Sequence, residues 1–156
     1  MTARGFTLIE LVITLAIIGL LTTAAMPLAQ LVSKREKEAE LRVALREIRG
    51  ALDAYHQAAT SGHIRMEVGA SGYPPDLKSL YMGVEDQASE KKINLYFLRR
   101  IPRDPFYPDT SAAAEDTWGL RGYQSPPDDP QPGDDVYDIH SLSATKGLNG
   151  IAYHDW

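Results

Sequence analysis

The stretch GFTLIELVITLAIIGLLTTAAMPLAQLVS, residues 5–33, decides how the rest of the chain is read. From Leu11 onward 23 consecutive residues carry no charge, and about 20 apolar helical residues suffice to cross the ~30 Å hydrocarbon layer of a bilayer. A membrane-spanning helix is therefore predicted. Glu10 stands at the edge of this run, where a carboxylate costs roughly 2.5–3.5 kcal/mol on insertion scales unless a partner neutralises it. It either finds such a partner or snorkels to the interface. A secretory signal peptide cut after Thr23-Ala24-Ala25 is the competing reading. The length of the apolar run, the acid within it and Pro27 just past the proposed cut all weigh against that. Pro27 lacks a backbone donor and crowds the preceding turn, so a kink or loosening is expected near residues 23–27.

Beyond Ser33 the pattern turns amphipathic. Leu41, Leu45, Ile48, Leu52, Tyr55 and Ala59 recur at spacings of three and four, the mark of a helix lying on a core. Lys34, Arg35, Glu36, Lys37, Glu38, Glu40, Arg42, Arg46, Glu47 and Arg49 are assigned to its other face, solvated or turned toward a neighbouring copy. No turn signal separates this stripe from the apolar run. One helix from Phe6 to Thr60 is expected, roughly 80 Å long at 1.5 Å per residue, and Ser61-Gly62 should end it.

The remainder reads as a small globular domain. Residues 62–72 form a glycine-punctuated loop, and Asp76 is placed to cap a short helix at Leu77-Lys-Ser-Leu80-Tyr81. A second helix is expected over residues 90–100, with Ile93, Tyr96 and Phe97 turned to the core, ending at Ile101-Pro102-Arg103-Asp104-Pro105. Residues 118–124 and 136–142 suit two short strands. The prolines between them forbid regular pairing, giving an antiparallel sheet with a long acidic loop; Ile151-Ala-Tyr153 adds a third short strand. The fold class is thus α+β.

Composition narrows the function. The chain of 156 residues has no cysteine, which excludes disulfides, thiolate nucleophiles and sulfur-ligated metals. Its formal net charge is -5, and residues 104–138 hold nine carboxylates against the single Arg121, which argues against a nucleic-acid surface. His56, His63, His140 and His154 show no HExxH spacing, and there is no GxSxG, P-loop or dinucleotide fingerprint. No catalytic residue is assigned and no enzyme activity is expected. Trp118, Tyr123, Tyr137 and Trp156 are read as core aromatics in preference to a ligand cage.

The string Gly5-Phe6-Thr7-Leu8-Ile9-Glu10 before a long apolar helix resembles the processing signal of type IV pilins and type II secretion pseudopilins. In that family a prepilin peptidase cuts after the glycine and methylates the new N-terminal residue. The resemblance implies a leader of residues 1–5, cleavage between Gly5 and Phe6, and N-methylation of Phe6. The membrane and assembly half of the helix would be residues 6–33, the amphipathic half 34–61, and the periplasmic globular domain 62–156. It also supplies a partner for Glu10, the Phe6 amine of a neighbouring subunit, so that the pair sets subunit registry. Gly19 and Pro27 fall where the family places a glycine and a helix-breaking proline. The count of basic residues disagrees with the implied topology: Arg4 faces Lys34, Arg35, Lys37 and Arg42 across the span, a balance that would put the C-terminus inside. A leader cut on the cytoplasmic side requires the N-terminus inside, and that reading is preferred.

The order Tyr73-Pro-Pro, Arg103-Asp104-Pro105, Trp118-Gly119, Tyr137-Asp138-Ile139, Ser141-Leu142 and a terminal tryptophan is similar to the major, G-type pseudopilin. The chain departs from it by residues 106–117, which read as an inserted loop. The implied function is a structural subunit of a type II secretion pseudopilus that helps export folded proteins. Its partners would be further copies of itself, other pseudopilins, the inner-membrane secretion platform, prepilin peptidase and membrane lipid. The alternatives are a pilin of a type IV pilus or DNA-uptake filament, and a membrane-tethered module binding a periplasmic ligand or calcium. Calcium is not carried over from the family, because Ser143-Ala-Thr-Lys146-Gly-Leu-Asn149-Gly150 contains no carboxylate, and calcium wants six to eight oxygens. Lys146 is the expected substitute cation, tying the loop to Asp138 or Asp155. The competing calcium ligands are Asp128, Asp129, Asp134 and Asp135.

Overall fold

The computed structural model describes residues 5–156, the side chain of Ala24 excepted. The leader positions Met1 to Arg4, and with them the Arg4 of the charge count, lie outside the described residues. The chain divides into two compact units, one ending at Lys37 and the other running from Glu38 to Trp156.

Helix α1 spans Leu8–Thr60 with Pro27 inside it; Pro27 has no N–H, so the bond that would run from it to the Thr23 carbonyl is missing from the ladder. In the first unit, Leu11, Ile13, Leu15, Ile18, Leu20 and Leu21 are all more than half exposed. This apolar surface, long enough to cross a membrane, has no protein to cover it within the unit. In the second unit the expected stripe is the core: Leu41, Leu45, Ile48, Leu52, Tyr55 and Ala59 are buried. Termination is stereochemical. Gly62 has φ +82, its N–H meets the Ala59 carbonyl at 3.1 Å, and the His63 N–H reaches the Ala58 carbonyl at 2.9 Å. This pair of backward bonds is the Schellman arrangement, which favours glycine at the left-handed position.

Against this stripe pack Leu77, Leu80, Leu98, Ile101, Trp118, Val136, Ile139 and Tyr153. Helix α2 is a single turn, Ser79–Met82. Asp76, three residues ahead of its first residue, accepts the Ser79 N–H and O–H at 2.8 Å each, while the N-cap position itself is Lys78. Strands β1 (Val84–Glu85) and β2 (Asn94–Leu95) pair antiparallel. Strands β3 (Trp118–Arg121) and β4 (Asp138–Ser141) form a second antiparallel pair, with Trp118 opposite Ser141 and Arg121 opposite Asp138. The α+β expectation is met by a long helix and these small sheets.

Three local expectations are corrected. Residues 90–100 do not form a helix: β2 pairs with β1, Ile93 and Tyr96 are exposed, and the Phe97 and Leu98 N–H groups both bond the Leu80 carbonyl. Residues 93–97, Ile-Asn-Leu-Tyr-Phe, are largely β-branched or aromatic, and such residues suit a pleated surface better than a short unsupported helix. The third strand reduces to one bridge between Lys146 and Ala152, followed by a 3-10 turn at Tyr153–Asp155. Tyr123 is exposed instead of buried, unlike Trp118, which sits in the core with its indole N–H on the Pro102 carbonyl at 2.8 Å. The inserted loop is ordered by Arg103, which donates to the main-chain oxygens of Asp109, at 2.5 Å, and of Ala112.

Candidate functional site: a processing and assembly segment

Gly5, Phe6 and Thr7 precede the first helical residue, and the Phe6 side chain is 84% exposed. Helix initiation here is encoded by Thr7-x-x-Glu10. The Glu10 N–H lies 3.3 Å from Thr7 Oγ1, and the Thr7 N–H lies 3.4 Å from Glu10 Oε2. This reciprocal pair is a capping box, satisfying two of the amide donors that every helix start leaves unpaired. Within one chain, therefore, the Glu10 carboxylate already has a local donor, and an acid near a helix N-terminus also meets the favourable end of the backbone dipole. Sequence reasoning assigned Glu10 to registry and overlooked Thr7, although the T-x-x-E spacing was there to be read.

The other residues of the segment are simpler. A Cβ at Gly19 would meet nothing within 4 Å, so packing within the described chain does not demand glycine there. Thr22 and Thr23 turn their hydroxyls back onto the Ile18 and Leu20 carbonyls at 2.8 and 2.7 Å, which removes two polar groups from an otherwise apolar surface.

In the second unit, two helix residues assigned to the outer face act inward. Glu38 is 4% exposed, and its Oε1 accepts the Leu148 N–H at 2.7 Å and the Tyr153 O–H at 2.9 Å. Burial first, and the adjacent Glu38 second, push the Tyr153 phenol up to about 12. Arg49 donates to Asp138 Oδ1 at 2.7 Å, to the Ile139 carbonyl at 3.1 Å and to the Trp156 main-chain oxygen at 2.8 Å. Arg42 stacks its guanidinium 4.4 Å from the Trp156 ring. The helix thus supplies the carboxylate and the cations that fix residues 138–156. Asp138 meets Arg49 at 2.7 Å and Arg121 at 3.9 Å. Asp155 lies 2.6 Å from the His154 ring. Neither role was visible in sequence, because ten charges spread over residues 34–49 do not say which of them turn in.

The four aspartates named as calcium candidates take separate tasks. Asp135 accepts the Ser71 hydroxyl and, at 2.7 Å, the Tyr123 N–H, while Asp129 accepts the Gln131 side-chain amide at 2.9 Å. Asp128 and Asp134 are exposed. Among the described residues no group of three or more His, Asp or Glu side chains converges on a point that could hold a metal ion. The final loop does not fit calcium either: it has no acid of its own, and its Leu148 amide is already taken by Glu38.

Residues 1–26 match the family model described as the prokaryotic N-terminal methylation motif. No curated protein and no solved structure matches the chain. The motif supports a prepilin-processed protein of the type IV pilin-like kind, and the long apolar helix fits a membrane-anchored one.

Proposed function

We propose that the chain is a structural subunit of a type II secretion pseudopilus, cleaved between Gly5 and Phe6, N-methylated on Phe6, and assembled into a helical filament that helps move folded proteins outward. The observation that carries this reading is the methylation motif over residues 1–26 set on an apolar helix surface that no part of its own unit covers. Before assembly that surface lies in the inner membrane, with residues 62–156 in the periplasm. After assembly, neighbouring helices cover it.

Glu10 is the residue that couples the two states. In the single chain it accepts the Thr7 amide; in the filament it pairs with the Phe6 amine of the next subunit. A charge pair in a poorly hydrated setting is far stronger than one in water, and an unmatched buried acid is costly. The pair therefore selects one stagger between subunits. No catalytic group is required of this chain; cleavage and methylation belong to prepilin peptidase, and the work of extraction belongs to the secretion platform. The order of motifs between Tyr73 and Trp156 favours a secretion filament over a type IV pilus.

The test is Glu10→Val in a strain producing the whole assembly machinery. Membrane insertion should be normal and filament formation abolished. Filaments at wild-type yield from Glu10→Val would overturn the reading and favour a membrane-tethered binding module.

A further inference from the structure

Residues 64–73, 122–125 and 131–135, with Tyr55 and Ala59 of the helix, line an open groove of about 1230 Å3. Tyr73 and Tyr123 line it, backed by Tyr137. Tyr73 stacks on Tyr123 with centroids 5.9 Å apart, and Tyr137 meets both edge-on at 4.9 and 5.4 Å. Tyr123 is 57% exposed, leaving much of its surface open. Asp135 braces the first two of these stretches, holding Ser71 of one and the Tyr123 N–H of the other. Asp134 stands exposed on the lining and has no partner among the described residues. Glu67, Asp134 and Asp135 outnumber Arg65 there. Aromatic surface combined with carboxylates suits a guanidinium, which can lie against a ring while bonding an acid through its planar fork.

The same chain exposes that group elsewhere. Arg99 and Arg100 are exposed and meet no acid among the described residues. They are held outward by their neighbours: Leu98 and Ile101 are buried, and the Leu98 N–H is fixed on the Leu80 carbonyl at 2.9 Å. Neither arginine lines the groove of its own chain.

We propose that the groove receives the Arg99–Arg100 corner of a second copy of this chain, an inference that rests on the filament reading and names one of its contacts. Two different patches on each subunit make a heterologous contact, which propagates along a filament instead of closing into a dimer. Single exposed ion pairs contribute about 0–1 kcal/mol, so the contact sets the position of each domain on its neighbour, while the apolar helices supply most of the cohesion.

The experiment uses the full chain, and the absence of cysteine makes it clean. With Asp134→Cys and Arg100→Cys in one chain, mild oxidation of filaments should give a ladder of disulfide-linked multimers, whereas neither single variant should. In parallel, Asp134→Arg and Arg100→Asp should each lower filament yield at least several-fold, and the two together should restore it. Wild-type filaments without a ladder, or a charge swap no better than its worse single, would overturn the contact and leave the groove to another occupant. Failure of the wild-type chain to form filaments at all would instead overturn the filament reading, and this contact with it.

Discussion

Glu38 and Tyr153, 115 residues apart, share a buried hydrogen bond of 2.9 Å, and the same carboxylate oxygen receives the Leu148 amide at 2.7 Å. One helix side chain therefore fixes both ends of the segment that closes the domain. The second acid oxygen lies 3.9 Å from Arg42, which keeps the buried acid near a cation.

Removing that acceptor should be felt throughout the second unit. Glu38→Ala leaves two donors without a partner and should destabilise the domain by about 2–4 kcal/mol. Glu38→Gln retains an acceptor oxygen and should cost about 1 kcal/mol or less. Denaturant unfolding of the purified protein checks both, and equal losses for the two variants would contradict the assignment.

The domain should lose stability in mild acid. Burial, and after it the neighbouring His154, push the His140 imidazole below its ordinary value of 6.5. The folded state thus binds that proton less readily than the unfolded chain, so the unfolded state gains protons first as pH falls through about 6.5. Stability is unaffected above that range and declines below it. Melting temperatures between about pH 7.5 and about pH 5.5 should fall for the wild type and fall less for His140→Gln. Asp86 does not confound this window, because its hydrogen bond from His63 holds its carboxyl below 3.8.

Gly122 marks a close backbone approach. A Cβ there would sit 3.0 Å from both the N and Cα atoms of Gly133, across the bond from the Gly122 N–H to the Gln131 carbonyl at 2.9 Å. Neither backbone can rotate away as a side chain can. Gly122→Ala should cost about 1–3 kcal/mol and splay the tyrosine groove, whereas Gly50→Ala, in open space on α1, should be neutral or slightly stabilising. Thermal unfolding of the two variants side by side checks the contrast.

How much of this could be read in advance varies with the range of the interactions. The long helix was legible because its stripe from Leu41 to Ala59 repeats over five turns, and β3 and β4 because Trp118 to Arg121 and Asp138 to Ser141 stand between turn-forming residues. Residues 90–100 were misread. Their apolar spacing fits a helix and a strand about equally, and the Leu80 carbonyl that decides between them lies more than ten residues away. Glu38 and Arg49 were hidden for a similar reason: their partners, Leu148, Tyr153, Asp138 and Trp156, lie 89 or more residues further along. Thr7 was the exception, a local signal passed over because Glu10 had been given a role outside its own chain.

The most direct test of the whole account is the mass of the N-terminal peptide from the mature protein, made in cells that also make prepilin peptidase. A chain beginning at Phe6 and carrying one extra methyl group on its amine is the predicted result. A chain beginning at Met1, or at Met26 after a cut behind Ala25, would contradict it.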